Sequence, residues 1–224
     1  MVEIAASFLD VKEENFIKTI YDLETAGTDY FHIDVMDGKF VENNTVDIMR
    51  KYTEYIKQIS NTNVEVHLMV EDVEAFSKAY IDMGVNTIMF HQEACKNETE
   101  TLKLISYIKQ NGIHVGVSIN PKTDIEKLYP YLPYIHRVLV MTVQAGKGGQ
   151  EFIPETLEKI KRLSTFIYEN GYEVDIEVDG GINDKTAKMV ADSGADILVS
   201  GSYIIKSGDY KEAIKNIRFD KNCK

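Results

Sequence analysis

The sequence predicts an α/β fold, a closed (β/α)8 barrel, and three observations predict it. Eight short stretches rich in β-branched and aromatic residues alternate with stretches whose apolar residues recur every three or four positions. The alternation fits within 224 residues, of which 44% are hydrophobic, enough for one substantial core and for a single barrel domain spanning 1–224. On several of the β-type stretches an apolar face backs a polar one, as a barrel requires when helices cover its outside and chemistry lines its inside. No GxGxxG turn follows the first strand, which weakens the alternative of an open dinucleotide-binding sheet.

In chain order, the first strand is VEIAASF, followed by a helix from Glu13 through Phe16, Ile17, Ile20, Tyr21 and Leu23. DYFHIDVM leads to a helix over Val46–Ile59, NVEVHLMV to one over Val73–Met83, and NTIMFHQ to one over Glu98–Gln110. IHVGVSI precedes an expected helix over Asp124–Tyr131, HRVLVMTV one over Glu155–Tyr168, and EVDIEVD one over Asp184–Ser193. ADILVS is the last strand, and Tyr210–Ile217 reads as the closing helix. Gly84, Gly112, Gly171 and Gly194 stand where helices should stop. Nothing marks a domain boundary or linker.

Strand parity decides which residues face the axis. Phe31, Ile33 and Val35 form one face of the second strand, and His32, Asp34 and Met36 the other. In the third, Val64, Val66, Leu68 and Val70 face helices while Glu65, His67 and Met69 face in. In the fifth, His114, Gly116, Ser118 and Asn120 face in; in the seventh, Asp175, Glu177 and Asp179 do. The polar face is therefore the interior one, where an unpaired carboxylate is costly.

Acidic residues number 36 against 25 basic, a formal charge of −11, which argues against nucleic acid or an anionic membrane as partner. A phosphorylated small molecule needs only a local pocket of donors. No apolar run approaches the ~20 residues of a membrane span. MVEIAASFLD carries no basic region or cleavage signal, so a cytoplasmic protein is expected. Cys95 and Cys223 are too few for a disulfide framework and have no metal-type spacing.

Barrel closure should bring His32, Asp34, His67 and Asp179 around one mouth. Two imidazoles and two carboxylates suit one divalent transition metal, and the mixed N/O set is equally compatible with Zn, Fe, Mn or Co. Three glycine clusters follow consecutive strands: AGKGGQ (Ala145–Gln150), DGG (Asp179–Gly181) and SGS (Ser200–Ser202). Loops in these positions commonly cradle phosphate with backbone N–H groups, and a helix starting after Gly201 and Ser202 would add its dipole. His91 and Glu93 share inward parity and are expected to orient ligands from behind. His114 and His136 lie at the other end of the barrel and read as structural, and Asp37 reads as a turn residue.

The motifs HIDVMDGKFVENNT, EVHLMV, HQEA, GVSINPKT, VMTVQAGKGGQEFI, VDGGINDKTA and SGADILVSGS make nearly the whole chain resemble the ribulose-phosphate 3-epimerase family. The resemblance implies a TIM barrel of the ribulose-phosphate-binding type and an isomerase acting on a ketose phosphate, with a homo-oligomeric state. It implies that His32, Asp34, His67 and Asp179 hold the metal, and that Asp34 and Asp179 are the acid/base pair. Ser7, Met36, Met69 and Met141 fall on positions lining the sugar, alongside His67. Gly146, Lys147, Gly148, Gly149, Gly180, Gly181, Gly201 and Ser202 fall on the phosphate-binding loops.

The chain departs from the family pattern on the rim. Ala145 and Lys147 replace a proline and a bulky apolar residue, Ala6 and Glu42 replace prolines, and Asp10, Val11 and Lys12 replace Ser-Ala-Asp. These positions bear on sugar choice more than on reaction type. The expected activity is interconversion of ribulose 5-phosphate and xylulose 5-phosphate through a cis-enediolate. The alternatives are a ketohexose-phosphate 3-epimerase, such as one acting on allulose 6-phosphate, and a sugar-phosphate-binding protein without catalysis. A lyase on a similar barrel should carry a lysine among acids after the third strand, where this chain reads VHLMVED.

Overall fold

The structure is a computed structural model that describes residues 1–220, so Cys223 lies outside the described residues. Eight strands close into a barrel in chain order: β1 (Glu3–Ser7), β2 (Tyr30–Met36), β3 (Asn63–Met69), β4 (Thr87–His91), β5 (His114–Ile119), β6 (Arg137–Met141), β7 (Asp175–Asp179) and β8 (Ile197–Ser200). All neighbours run parallel, and closure is made by β8 against β1, with Ile4 beside Leu198. Each expected strand is present, shorter by a residue or more at its ends.

The helices are α1 (Phe16–Ala26), α2 (Val46–Ile59), α3 (Val73–Asp82), α4 (Glu98–Gln110), α5 (Thr156–Glu169), α6 (Ala187–Asp192), α7 (Ser202–Ile205) and α8 (Tyr210–Ile217). Local chemistry starts them: Asp72, Asn97 and Asp209 cap α3, α4 and α8 by accepting from the backbone N–H three residues on. Glycine stops them, since Gly84, Gly112, Gly171 and Gly194 all adopt positive φ.

The expected helix over Asp124–Tyr131 does not form. Two short 3-10 turns, Ile125–Lys127 and Leu132–Tyr134, stand in its place. Pro130 and Pro133 explain the difference, because each lacks the N–H that an α-helix interior needs and its ring clashes with the preceding turn. The segment still packs on the barrel by burying Ile125, Leu128, Tyr131 and Leu132.

Two apolar layers follow from strand parity. The outer faces, Phe31, Ile33, Val35, Val66, Val117 and Val138 among them, pack against helices in one continuous core. Each such side chain contributes roughly 1.5–3 kcal/mol on burial. A smaller interior cluster contains Ala5, Met36, Met69, Met89, Leu139, Met141 and Val199. The bottom rim is wet: His114 and Asp175, inward by parity, are exposed at their strand starts.

Candidate active site

The upper ends of β2, β3 and β7 deliver the polar cluster. Register sets Asp34 beside His67 and Met36 beside Met69, while Met141 of β6 pairs with Asp179. His32, Asp34, His67 and Asp179 thereby offer ligand atoms that all lie within 4.8 Å of one another. His67 Nδ1 is 3.2 Å from Asp34 Oδ1 and 3.8 Å from Asp179 Oδ2. His32 Nε2 is 3.3 Å from Asp34 Oδ1 without the geometry of a hydrogen bond, and it is a buried nitrogen lacking any hydrogen-bond partner among the described residues. An orphaned imidazole nitrogen aimed at two carboxylates and a second imidazole is what a bound divalent cation would satisfy. The residues fit such an ion.

Both histidines are turned by neighbours behind them. His32 Nδ1 lies 2.7 Å from Glu65 Oε1, so it serves as the donor and leaves the Nε2 lone pair facing the cluster. For His67 the chain is longer. His91 Nδ1 donates to Glu93 Oε2 at 3.2 Å, which leaves His91 Nε2 to accept from His67 Nε2 at 2.9 Å. With an ion bound, His67 Nδ1 would then be the unprotonated nitrogen facing the carboxylates; without one it lies in hydrogen-bond reach of Asp34 Oδ1 at 3.2 Å. Glu93 is itself anchored by the Asn120 backbone N–H at 2.8 Å and by the Thr123 hydroxyl.

The two aspartates are pushed in opposite directions. Burial works against the Asp34 carboxylate, but the His32 and His67 imidazoles outweigh it and hold its pKa far below the usual range. The Ser7 hydroxyl also donates to Asp34 Oδ2 at 2.8 Å. Asp179 is pushed up to about 8, first by burial and then by the charge of Asp34. His67 falls to about 4 because burial disfavours its charged form, which keeps it a neutral ligand. His32 goes the other way: burial opposes its charge, yet Asp34, Glu177 and Glu65 together raise its pKa well above the ordinary value.

Above the cluster opens a cleft of about 600 Å³, counting its mouth. Ser7, Met36, Met69 and Met141 form its floor and sides, and Gly146, Lys147, Gly148, Gly149, Gly180, Gly181, Gly201 and Ser202 its rim. His32 and His67 lie beneath it, fully buried. Glycine is required at Gly181, whose φ is +67° and where a Cβ would stand 2.7 Å from the Phe152 nitrogen. Gly146, at φ +109°, lies against Val41, and its carbonyl accepts from Asn43 Nδ2 at 2.6 Å, tying the loop after β6 to the loop after β2. A helix does begin at Ser202, but it is a single turn over Ser202–Ile205, so its dipole is small.

Other side chains take the supporting places expected of them. Asp37 Oδ1 accepts from Lys39 and Phe40 N–H and Oδ2 from Glu71 N–H, fixing a turn. His114 and His136 stack at 4.3 Å between centroids, with His136 Nδ1 accepting from Val115 N–H. Asp10, expected on the rim, and Gln150, in the AGKGGQ cluster, line the cleft, whereas sequence reasoning missed Leu9, Val143, Ile182 and Val199. Val199 was open to discovery by parity, because Ile197 and Val199 share the inward face of β8. It also missed Thr45, whose hydroxyl donates to Asp34 O at 2.7 Å and accepts from Met36 N–H at 2.9 Å, and so fixes the end of β2. Arg137, beneath the cluster, was not singled out either.

Among the described residues no helix is long and apolar enough to cross a membrane. Solved structures with this fold include 3-hexulose-6-phosphate synthase from Salmonella typhimurium, with a TM-score of 0.70 at 16% identity over 96% of both chains. KGPDC from Streptococcus mutans matches with a TM-score of 0.70 at 13% identity, covering 97% of this chain and 96% of the other. Both likenesses speak to fold alone. In sequence, the chain is 41% identical to the ribulose-phosphate 3-epimerase of Methanocaldococcus jannaschii, over 97% of this chain and 90% of that protein. It is 37% identical to the Bacillus subtilis ribulose-phosphate 3-epimerase, over 99% of this chain and 100% of the relative. The model of the ribulose-phosphate 3 epimerase family matches residues 3–205. With the closed barrel and the motifs on its strand ends, this match makes the chain a member of the ribulose-phosphate 3-epimerase family.

Proposed function

We propose that the protein interconverts ribulose 5-phosphate and xylulose 5-phosphate by moving a proton at C3, with Asp34 and Asp179 as the acid/base pair. One observation carries the reading: two aspartates whose acidities are pushed in opposite directions converge on one cleft from strands three positions apart in the ring of eight. Epimerisation needs that asymmetry, because one group must take a proton from one face while the other delivers a proton to the opposite face. In one direction ionised Asp34 removes the C3 hydrogen as a proton, and the C–H electron pair passes into an enediolate. Neutral Asp179 then donates its proton to C3 from the other side. The pair ends with its charges exchanged, ready for the reverse reaction or for resetting by exchange with solvent.

A divalent ion held by His32, Asp34, His67 and Asp179, whether Zn, Fe, Mn or Co, supplies Lewis-acid stabilisation for the charge developing on the sugar oxygens. Ser7 keeps Asp34 oriented through its 2.8 Å hydrogen bond. Met36, Met69 and Met141 offer dry, polarisable surface to the planar intermediate and keep water from quenching it. The backbone N–H groups from Gly146 to Gly149, at Gly180 and Gly181, and at Gly201 and Ser202 bind the phosphate, with Lys147 at the rim. The reading includes one barrel domain over 1–224, a homo-oligomer and a cytoplasmic setting, with no nucleic acid or membrane partner.

The test is deuterium incorporation at C3 of ribulose 5-phosphate in deuterated water, run beside allulose 6-phosphate, with metal analysis of the same sample. Exchange accompanied by xylulose 5-phosphate supports the reading. Preference for the hexulose would move the substrate class by one carbon. Absence of exchange with both would leave a binding protein.

A further inference from the structure

One layer below the upper cluster, His32, Glu65 and Glu177 bring ligand atoms within 4.8 Å of one another. A metal has no place there, because a side chain already supplies the cation. Arg137 Nη1 donates to Glu65 Oε2 and, at 2.8 Å, to Glu177 Oε2. The guanidinium carbon lies 4.7 Å from the centre of the Tyr30 ring, and the Tyr30 hydroxyl donates to Glu3 Oε2 at 2.9 Å. Glycine at position 116 lets β5 pass close to Met89 and to the start of β6, since a Cβ there would stand 2.6 Å from Met89 Cγ and 3.1 Å from Arg137 O. Arg137 is 5% exposed, and His32, Glu65 and Glu177 are 0% exposed.

Stability gives a poor account of such a network, because buried ion pairs of this kind are often no more stable than apolar residues of equal volume. Orientation gives a better one. The His32 ring is gripped from below, with Nδ1 at 2.7 Å from Glu65 Oε1 and 3.4 Å from Glu177 Oε1. Gripped that way, it can present only Nε2 to the cluster above. A single Arg137 nitrogen touches both carboxylates and so fixes where each one stands beneath the ring.

We infer that Arg137 is a positioning residue of the metal centre: by clamping Glu65 and Glu177 it fixes the His32 imidazole with Nδ1 donating downward and the Nε2 lone pair aimed at Asp34, His67 and Asp179. The inference rests on the metal-centre reading above and extends it to a residue that touches neither substrate nor ion. An apolar residue at position 137 would leave Glu65 and Glu177 to repel each other, and the ring would lose its fixed orientation.

Metal-free protein titrated with Co2+ provides the test, with affinity read by chelator competition and coordination by the visible absorption spectrum. Arg137→Met is expected to lower Co2+ affinity by about 10–100-fold, the usual cost of losing a partner behind a metal ligand, and to alter the spectrum. Arg137→Lys, which restores a cation, should recover part of that loss. Parent-like affinity and spectrum in a folded Arg137→Met protein would overturn the inference, even if its melting temperature fell. Should that variant not fold, Arg137→Gln keeps a polar side chain with hydrogen-bond donors at the position but no charge. Parent-like Co2+ binding by that variant would overturn the inference equally. If the parent protein takes up no Co2+, the metal-centre reading falls and this inference with it; if only the variants match the parent, the inference alone falls.

Discussion

His67 and His91 meet through their Nε2 atoms at 2.9 Å, and this contact decides which nitrogen His67 turns toward Asp34. One of the two must donate. Because His91 Nδ1 is committed to Glu93, whose carboxyl is held down to about 2 against the cost of burial by His91, Thr123 and Asn120, the donor is His67. A carboxylate on the loop after β4 thus sets the tautomer of an imidazole on β3.

Removing that carboxylate should weaken the ion site without touching it. Glu93→Gln is expected to reduce divalent-metal affinity by about tenfold, and His91→Ala by as much or more, with little change in far-UV circular dichroism. Chelator competition measures both. Affinities equal to the parent's would show that His67 needs no such support. A chelator should also inactivate the parent reversibly, and recovery on adding back each of Zn, Fe, Mn and Co would identify the ions it accepts.

The aspartates should be separable by face. Asp34→Asn and Asp179→Asn are each expected to lower kcat by about 10³-fold or more, since each amide still occupies the site but moves no proton. The two variants should differ in deuterated water. Asp179→Asn retains the group that abstracts from one epimer, so it should wash out hydrogen from that epimer alone. Mass spectrometry of both sugars reads this directly, and equal exchange from both epimers would discredit the two-face scheme.

Acidity also links Asp179 to folding. Its folded pKa of about 8 stands above the ordinary ~3.9, so between these values the folded state keeps a proton that the unfolded chain has released. Stability of the metal-free protein should therefore be fullest, as far as Asp179 is concerned, near pH 4 and fall as pH rises through 8. Glu65, pushed up to about 7 by burial and by Glu177, acts with the same sign. Asp34, held low, acts oppositely and withdraws stability only on acidification below its ordinary range. Melting temperatures at pH 6 and pH 9 should drop in metal-free protein, and Asp179→Asn should flatten the drop.

Much of the barrel was legible because strand parity and helical spacing are local. The alternation His32–Asp34–Met36 and Glu65–His67–Met69 shows which side chains face in, and closure of the barrel does the rest. The missing helix after β5 is also a local matter, since Pro130 outweighs a favourable spacing. What stayed hidden depends on distance along the chain. Arg137 meets partners 72 and 40 residues away, and a charged residue at a strand start reads equally well as solvated. Asn43 and Gly146 are 103 residues apart, and no pattern announces their bond.

That bond holds the backbone next to Lys147. Asn43 pins the carbonyl before it, and Gln150 Nε2 donates to the Lys147 carbonyl at 2.7 Å, so the backbone on either side is held while the ammonium remains free to swing over the cleft. The glycines around it leave the phosphate position open to a charge from this side. Lys147→Met should therefore raise KM for a ketose phosphate by roughly five- to tenfold with kcat nearly unchanged, the signature of lost uniform binding. The effect should shrink at high salt, because an exposed ammonium is screened over about 8–10 Å at ordinary ionic strength. Competitive inhibition by inorganic phosphate should weaken in parallel, and a KM insensitive to the substitution would leave Lys147 as a solvated loop residue with the phosphate held by backbone N–H groups alone.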